Sequence, residues 1–193
     1  RGPGVMEERR EARSCECGQE LDRDPRLPIT RATCPRCGAT RLLSGFVKMD
    51  VALSEMCNYR CRMCRRPPRP ATLETGDVMR VMEEAAEIGI RTISFCGGEP
   101  FIHRDFVDIA MRGVALGMKV QITSNGGLVT REKLERLRGV DCLTVSIDGL
   151  EGTHDDIRGV KGAFARACDA LRLAAAAGIT RGTHTVIQRD NTE

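Results

Sequence analysis

The stretch Cys142-Leu143-Thr144-Val145-Ser146-Ile147-Asp148-Gly149 decides the fold. As a β-strand it divides into an apolar set, Leu143, Val145 and Ile147, and a small or polar set, Thr144, Ser146 and Asp148, because side chains alternate between faces. The same split recurs upstream, where Asp50, Ala52 and Ser54 share one side of a strand and Gln121, Thr123 and Asn125 share one side of another. A sheet covered by helices on both faces carries apolar residues on both. A curved barrel with helices outside has one face looking into a lumen, and polar residues there mean a wet cavity. The pattern therefore predicts an α/β protein built as a partial (β/α) barrel.

Outward from that stretch, β-branched runs alternate with helical periods ended by glycine from about residue 47 onward. Parallel strands are predicted at 48–53, 92–95, 120–123, 142–147 and 183–187. Four helical faces separate them: Val78, Met79, Met82, Ala85 and Ala86; Phe106, Ile109, Ala110 and Val114; Leu134 and Leu137 after Thr130; and Phe164, Ala167, Cys168, Leu171 and Ala175. In such architectures ligands bind beyond the carboxyl ends of the strands. The polar motifs fall there in order: Cys57 to Cys64, then Gly97-Gly98-Glu99-Pro100, Ser124-Asn125-Gly126-Gly127, Asp148-Gly149 leading to Arg158-Gly159, and Gln188-Arg189-Asp190-Asn191.

Singly, most of these have an ordinary explanation. A glycine pair punctuates turns, Asn-Gly and Asp-Gly are common turn dipeptides, and an arginine usually lies on the surface. The cysteines are different. Three thiolates in Cys57-Asn58-Tyr59-Arg60-Cys61-Arg62-Met63-Cys64 can hold an iron-sulfur cluster with one iron left open, whereas clusters used only for electron transfer are normally closed by four. An open metal position suits binding and activation of a ligand.

With the CxxxCxxC loop after the first strand and GGEP after the second, residues 47 to about 191 resemble the radical S-adenosylmethionine (radical SAM) superfamily. The segments Thr123-Ser124-Asn125-Gly126, Ser146-Ile147-Asp148-Gly149 and His154-Asp155-Asp156-Ile157-Arg158-Gly159 resemble its SPASM-type members, which modify peptides or build cofactors. The resemblance implies that Cys57, Cys61 and Cys64 bind a 4Fe-4S cluster whose fourth iron takes the amino and carboxylate groups of SAM. It implies that Gly97, Gly98 and Glu99 meet the methionyl amino group, with Glu99 countering its charge. Ser124, Ser146 and Asp148 lie where family members contact ribose and methionine, and Arg158 is placed to pair with the carboxylate. Main-chain groups of Tyr59 and Met63, with Val186 and Ile187, border adenine. The implied chemistry is reductive cleavage of SAM to a 5′-deoxyadenosyl radical that takes hydrogen from a substrate, a peptide or small molecule, with flavodoxin or ferredoxin as reductant. Met63 departs from the aromatic residue common before the third cysteine, and Cys96 stands where a hydroxyl or small residue is common.

Four more cysteines, Cys15, Cys17, Cys34 and Cys37, form a separate group in residues 15–45, which hold too few large apolar side chains for a core without a metal staple. Cys34-Pro35-Arg36-Cys37-Gly38 reads as a zinc-ribbon-like knuckle, and Cys15-Glu16-Cys17-Gly18 is a less regular one. Zinc is the first expectation, with an iron-sulfur centre or no metal as alternatives. Cys142 and Cys168 sit in apolar periods and read as small buried hydrophobes, as does Cys96 unless it points into the lumen. Residues 1–14 are charged and aperiodic and read as a disordered lead-in.

The 193 residues suffice for a domain of about 150 residues and a small appendage. A net charge of +3 gives no general attraction to nucleic acid or anionic membrane. The crowd of Arg60, Arg62, Arg65, Arg66 and Arg69 reads as solvated charge compensating an anionic cluster, since aromatic stacking platforms are scarce. No run approaches the roughly 20 apolar residues of a membrane span. Ten cysteines without an export signal point to metal ligation in the cytoplasm before disulfides. The opening Arg1-Gly2-Pro3-Gly4 in place of methionine and the stop at Asn191-Thr192-Glu193 directly after a strand-like run suggest a fragment, and the lack of the sixth strand that the resemblance leads one to expect suggests truncation at the C-terminus. The class-distinct alternative is a non-catalytic iron-sulfur or zinc protein serving interaction or electron transfer.

Overall fold

The computed structural model describes residues 15–22, 29–44, 48–64 and 71–192. The expected lead-in at 1–14 and the arginines Arg65, Arg66 and Arg69 lie outside the described residues.

The larger sheet contains β3 (Lys48–Ala52), β4 (Thr92–Cys96), β5 (Lys119–Ser124), β6 (Cys142–Ser146) and β7 (Thr180–His184), all parallel and ordered β3-β4-β5-β6-β7. An unreversed order is the arrangement of a (β/α) barrel segment, because right-handed crossovers then lay every helix on the same face. A doubly wound sheet would reverse direction at a switch point. The crossovers are α1 (Thr75–Glu87), α2 (Phe106–Ala115), α3 (Arg131–Arg136) and the pair α4 (Glu151–Arg158) and α5 (Ala163–Ala176).

The two strand faces differ as the alternation requires. Ile93 and Phe95, Val120 and Ile122, and Leu143 and Val145 are buried in one cluster with Val78 and Met82 of α1, Phe106 and Ile109 of α2, Leu134 and Leu137 of the α3 region, and Ala167, Ala170 and Ala174 of α5. Each large side chain buried there contributes about 1.5–3 kcal/mol relative to exposure. Phe106 anchors the cluster, edge-on to Phe95 and Phe101 at 5.6 and 4.8 Å. Close approach is built in: a Cβ on Gly113 would stand 3.0 Å from Val120 Cγ2, and α5 meets the sheet through alanines. On the other face Gln121, Thr123, Thr144 and Cys142 remain partly accessible.

Two expectations need correction. The last strand is Thr180–His184, three residues before the expected 183–187, with Cys142 opposite Thr180 and Ser146 opposite His184. Pairing starts soon after the turn at Gly178, and the β-branched Val186 and Ile187 lie beyond it, exposed. Between Gly149 and Arg158, where none of the four predicted helical faces falls, the chain forms α4. Its apolar period is hidden because it buries His154, Ile157 and Arg158 rather than a hydrophobic stripe, and Gly159 ends it at φ 67°.

The amino-terminal strands β1 (Ile29–Thr33) and β2 (Thr40–Ser44) form an antiparallel pair. Their small core is Leu21, Leu43, Cys15 and Cys34.

Candidate metal centre

The loop after β3 is fastened from several sides. Ser54 Oγ accepts from Met56 N–H at 3.0 Å and lies 3.0 Å from Thr72 Oγ1, while Leu73 N–H donates to Leu53 O at 2.9 Å. Gly98 and Glu99 donate their N–H groups to Ser54 O and Met56 O, both at 2.8 Å. The two loops touch so closely that a Cβ on Gly98 would fall 2.0 Å from Met56 O, and one on Gly97, at φ +113°, 2.7 Å from Ser54 O. Only glycine admits that approach.

Further along, Tyr59 is buried and its hydroxyl accepts from Arg166 Nε of α5 at 3.2 Å. Arg62 N–H donates to Ile157 O at 2.8 Å, joining the loop to the end of α4, and Gly159 backs onto Arg60 O. Three donors converge on the thiols. Tyr59 N–H reaches Cys57 Sγ at 3.4 Å, Asn125 Nδ2 reaches the same sulfur at 3.6 Å, and Arg158 Nη1 reaches Cys61 Sγ at 3.8 Å. Without a metal, burial pushes the Cys57 and Cys61 thiols up, partly opposed by these donors.

Behind the thiols stand two buried carboxylates. Glu99 is 1% exposed; its Oε1 accepts from Ser124 Oγ at 2.8 Å and Phe101 N–H at 3.3 Å, and its Oε2 from Asn125 N–H at 2.8 Å. Burial raises its pKa, with the Asn125 N–H, the Ser124 hydroxyl and the Phe101 N–H pulling the other way. Asp148 is fully buried, with Oδ2 2.6 Å from Arg158 Nε and Oδ1 accepting from Val186 N–H at 3.0 Å. Its own N–H donates to His154 Nδ1 at 3.0 Å, so this wholly buried imidazole carries its proton on Nε2. Burial, then Arg158, lowers the His154 pKa and keeps the ring neutral. Asn191 Nδ2 closes the group onto Asp148 O at 2.8 Å.

Residues 51–193 match the family model described as Radical SAM superfamily. The chain belongs to the radical SAM superfamily. Among its relatives, the AdoMet-dependent heme synthase of Methanosarcina barkeri is 34% identical over 148 residues, 73% of this chain and 42% of that protein. The PqqA peptide cyclase of Methylocella silvestris is 33% identical over 148 residues, 73% of this chain and 40% of that one. This chain thus spans about two fifths of their length. A crystal structure of Streptococcus suis SuiB bound to precursor peptide SuiA superposes with a TM-score of 0.67 at 21% identity, covering 76% of this chain and 34% of SuiB, which is a likeness of fold.

The radical SAM family implies a 4Fe-4S cluster and SAM, and the thiol loop fits a cluster. Three soft ligands lie on one loop, hydrogen-bond donors point at two of the sulfurs, and the glycine pair is pressed against the same loop. Of the residues expected around SAM, Gly97, Gly98, Glu99, Ser124, Asp148 and Arg158 adjoin the loop or one another through the contacts above. Ser146 is buried at the end of β6. Val186 presents its N–H to Asp148, whereas the Ile187 side chain is 81% exposed. Asn125, His154 and Asn191 lay within motifs visible in the sequence but carried no role there, because only folding shows whom an amide or imidazole faces. Cys142 is half-buried near Thr144 Oγ1 at 3.8 Å, Cys96 and Cys168 are also half-buried, and Arg62 pairs with Asp190 at 3.3 Å.

The amino-terminal group is a second candidate centre. Sγ atoms of Cys15, Cys17, Cys34 and Cys37 all lie within 4.8 Å of one another, with Cys15 and Cys37 at 3.4 Å and Cys17 and Cys34 at 3.6 Å. Tetrahedral zinc with bonds of about 2.3 Å requires sulfurs roughly 3.8 Å apart, so one ion fits the set. The Cys17 N–H and then the Cys37 thiol lower the Cys15 pKa to about 6, and Arg41 is held beside it by Glu16. No helix among the described residues is long and apolar enough to cross a membrane.

Proposed function

We propose that this chain is the core of a radical SAM enzyme, with the cluster on Cys57, Cys61 and Cys64. The observation that carries this is the docking of the Gly97-Gly98-Glu99 loop and of the Asn125 and Arg158 donors onto one three-thiol loop. When bound, the cluster and SAM supply one-electron cleavage of the sulfonium and a 5′-deoxyadenosyl radical that abstracts hydrogen from the substrate.

The chain's own residues bind and orient. The Glu99 carboxylate is engaged with Ser124, Phe101 and Asn125, so it acts as a clasp that sets the loop, leaving main-chain groups of Gly97 and Gly98 to meet the methionyl amino group. Its negative charge still favours a cation nearby. Arg158, fixed by Asp148, serves the methionine carboxylate and the Cys61 side of the cluster together, while Ser124, Ser146 and Asp148 border ribose and methionine. Adenine falls beside the main chain of Tyr59, Met63 and Val186. The partly accessible polar face of the sheet receives the substrate, a peptide or small molecule as the names of the relatives suggest, and a flavodoxin or ferredoxin supplies electrons. Residues 15–45 form a zinc-stapled appendage to the core at 47–193. Reduced thiol ligands in both centres suit the cytoplasm.

Anaerobic reconstitution tests the assignment. The chain should show the absorption and EPR of a 4Fe-4S cluster, perturbed by SAM, and form 5′-deoxyadenosine on reduction; triple Cys57/Cys61/Cys64→Ala should show none of these. A cluster without SAM cleavage would instead favour an electron-transfer or interaction protein. Metal analysis should find one zinc per chain that is lost in Cys34→Ser/Cys37→Ser, and iron at that site would overturn zinc.

A further inference from the structure

We infer that Asn125, acting with Arg158, sets the reduction potential of the cluster by donating to its thiolates; the inference rests on the assignment of that cluster to Cys57, Cys61 and Cys64. Asn125 lies just past the end of β5 and is 6% exposed. Its Oδ1 is fixed by the Gly127 N–H at 2.8 Å, which orients the amide. Nδ2 therefore faces the thiol loop, 2.8 Å from Asn58 Oδ1 and 3.6 Å from Cys57 Sγ. Across the loop Arg158 Nη1 stands 3.8 Å from Cys61 Sγ, its Nε held by Asp148. Two thiolates thus receive donors of different charge from different elements, a neutral amide just past β5 on Cys57 and a cation at the end of α4 on Cys61.

Reduction adds one negative charge to the cluster and its thiolates. A donor aimed at sulfur stabilises the reduced form more than the oxidised one, and hydrogen bonds to the sulfurs are among the levers that set such potentials. Asn125 is suited to this because the Gly127 N–H holds its Oδ1, so the amide keeps an anchor when the bond from Nδ2 to Asn58 is removed. It is a potential-setting residue rather than a site anchor.

The test is a redox titration of the full chain, loaded anaerobically with iron and sulfide, reduced stepwise with Ti(III) citrate and followed by EPR of the reduced cluster. Asn125→Asp keeps an acceptor for Gly127, loses the donor and adds negative charge, and should lower the reduction equilibrium constant at least tenfold, about 59 mV for one electron. Asn125→Ser should lower it by less, and Asn58→Ala should leave it unchanged. Asn125 variants that titrate at the parent's potential overturn the inference. So does an Asn58→Ala shift equal to that of Asn125→Ser, or Asn125 variants that load no cluster while Asn58→Ala loads normally, since both mean loop anchoring. A parent chain that loads no cluster removes the functional assignment itself, an outcome distinct from a loaded cluster with an unmoved potential.

Discussion

Asp148→Asn should be among the most costly single changes in the chain. The carboxylate is fully buried, its Oδ2 lies 2.6 Å from Arg158 Nε, and the Arg158 side chain is only 9% exposed. Asparagine retains an oxygen for the Val186 N–H and nearly the same shape, so the perturbation is the loss of one charge beside a guanidinium that cannot readily reach water. Removing one partner of a buried pair costs about 3–5 kcal/mol, whereas an exposed pair is worth about 0–1 kcal/mol. Urea unfolding of the cluster-free chain at neutral pH reads the difference. With a slope of about 2 kcal/mol/M, the midpoint should fall by roughly 1.5–2.5 M. Adding Arg158→Met should then cost less than Arg158→Met does alone, because the stranded charge is gone, with a coupling of about 0.5–3 kcal/mol. A single-variant loss below about 1 kcal/mol, together with an additive double variant, would refute the claim that this pair is buried and mutually dependent.

Gly98→Ala should displace the GGEP loop, because its Cβ would lie 2.0 Å from the Met56 carbonyl; iron content after reconstitution should fall by more than half, and full loading with unchanged SAM binding would contradict the close approach. Tyr59→Phe removes the acceptor for Arg166 Nε and should cost about 1 kcal/mol in thermal or urea unfolding, with no loss counting against that bond. Asp155→Ala should lose an acceptor for the N–H groups of Phe164 and Gly162 at the start of α5, about 1 kcal/mol at neutral pH by analogy with helix caps. The Phe164 N–H, then that of Gly162, outweigh burial and lower the Asp155 pKa below its ordinary 3.8. Its contribution is therefore present above about pH 4 and disappears as pH falls through the depressed folded value. Parent and variant should converge in stability there, and a gap that persists at lower pH would show that the carboxylate charge is not involved.

Much of this architecture was legible because the governing patterns are local. Alternation within β3, β5 and β6 marks the polar face, and cysteine spacing marks the loop that bears the thiols. The register of β7 was not, since Val186 and Ile187 have strong strand character while the hydrogen-bond partners on β6 are taken by Thr180 to His184. Helix α4 escaped for a related reason: it buries His154 and Arg158, whose burial depends on Asp148 from a neighbouring strand end. The site could be located from strand-end motifs, but not its internal wiring. That Glu99 clasps Ser124 and Asn125, or that Asn125 faces Cys57 across 68 positions of sequence, is a property of tertiary contact alone.

The fastenings of the thiol loop also fix when it can become competent. Cys57 to Cys64 come early in the chain, yet the groups that hold their loop are Ile157, Gly159 and Arg166. Contacts of such long sequence separation form late, after their loop-closure entropy has been met. A chain emerging from the ribosome would carry its three thiols unorganised until α5 had been made and docked. Capture of iron would then report that the chain has folded through α5, and shorter nascent chains would present only ordinary cysteines to the metal pool.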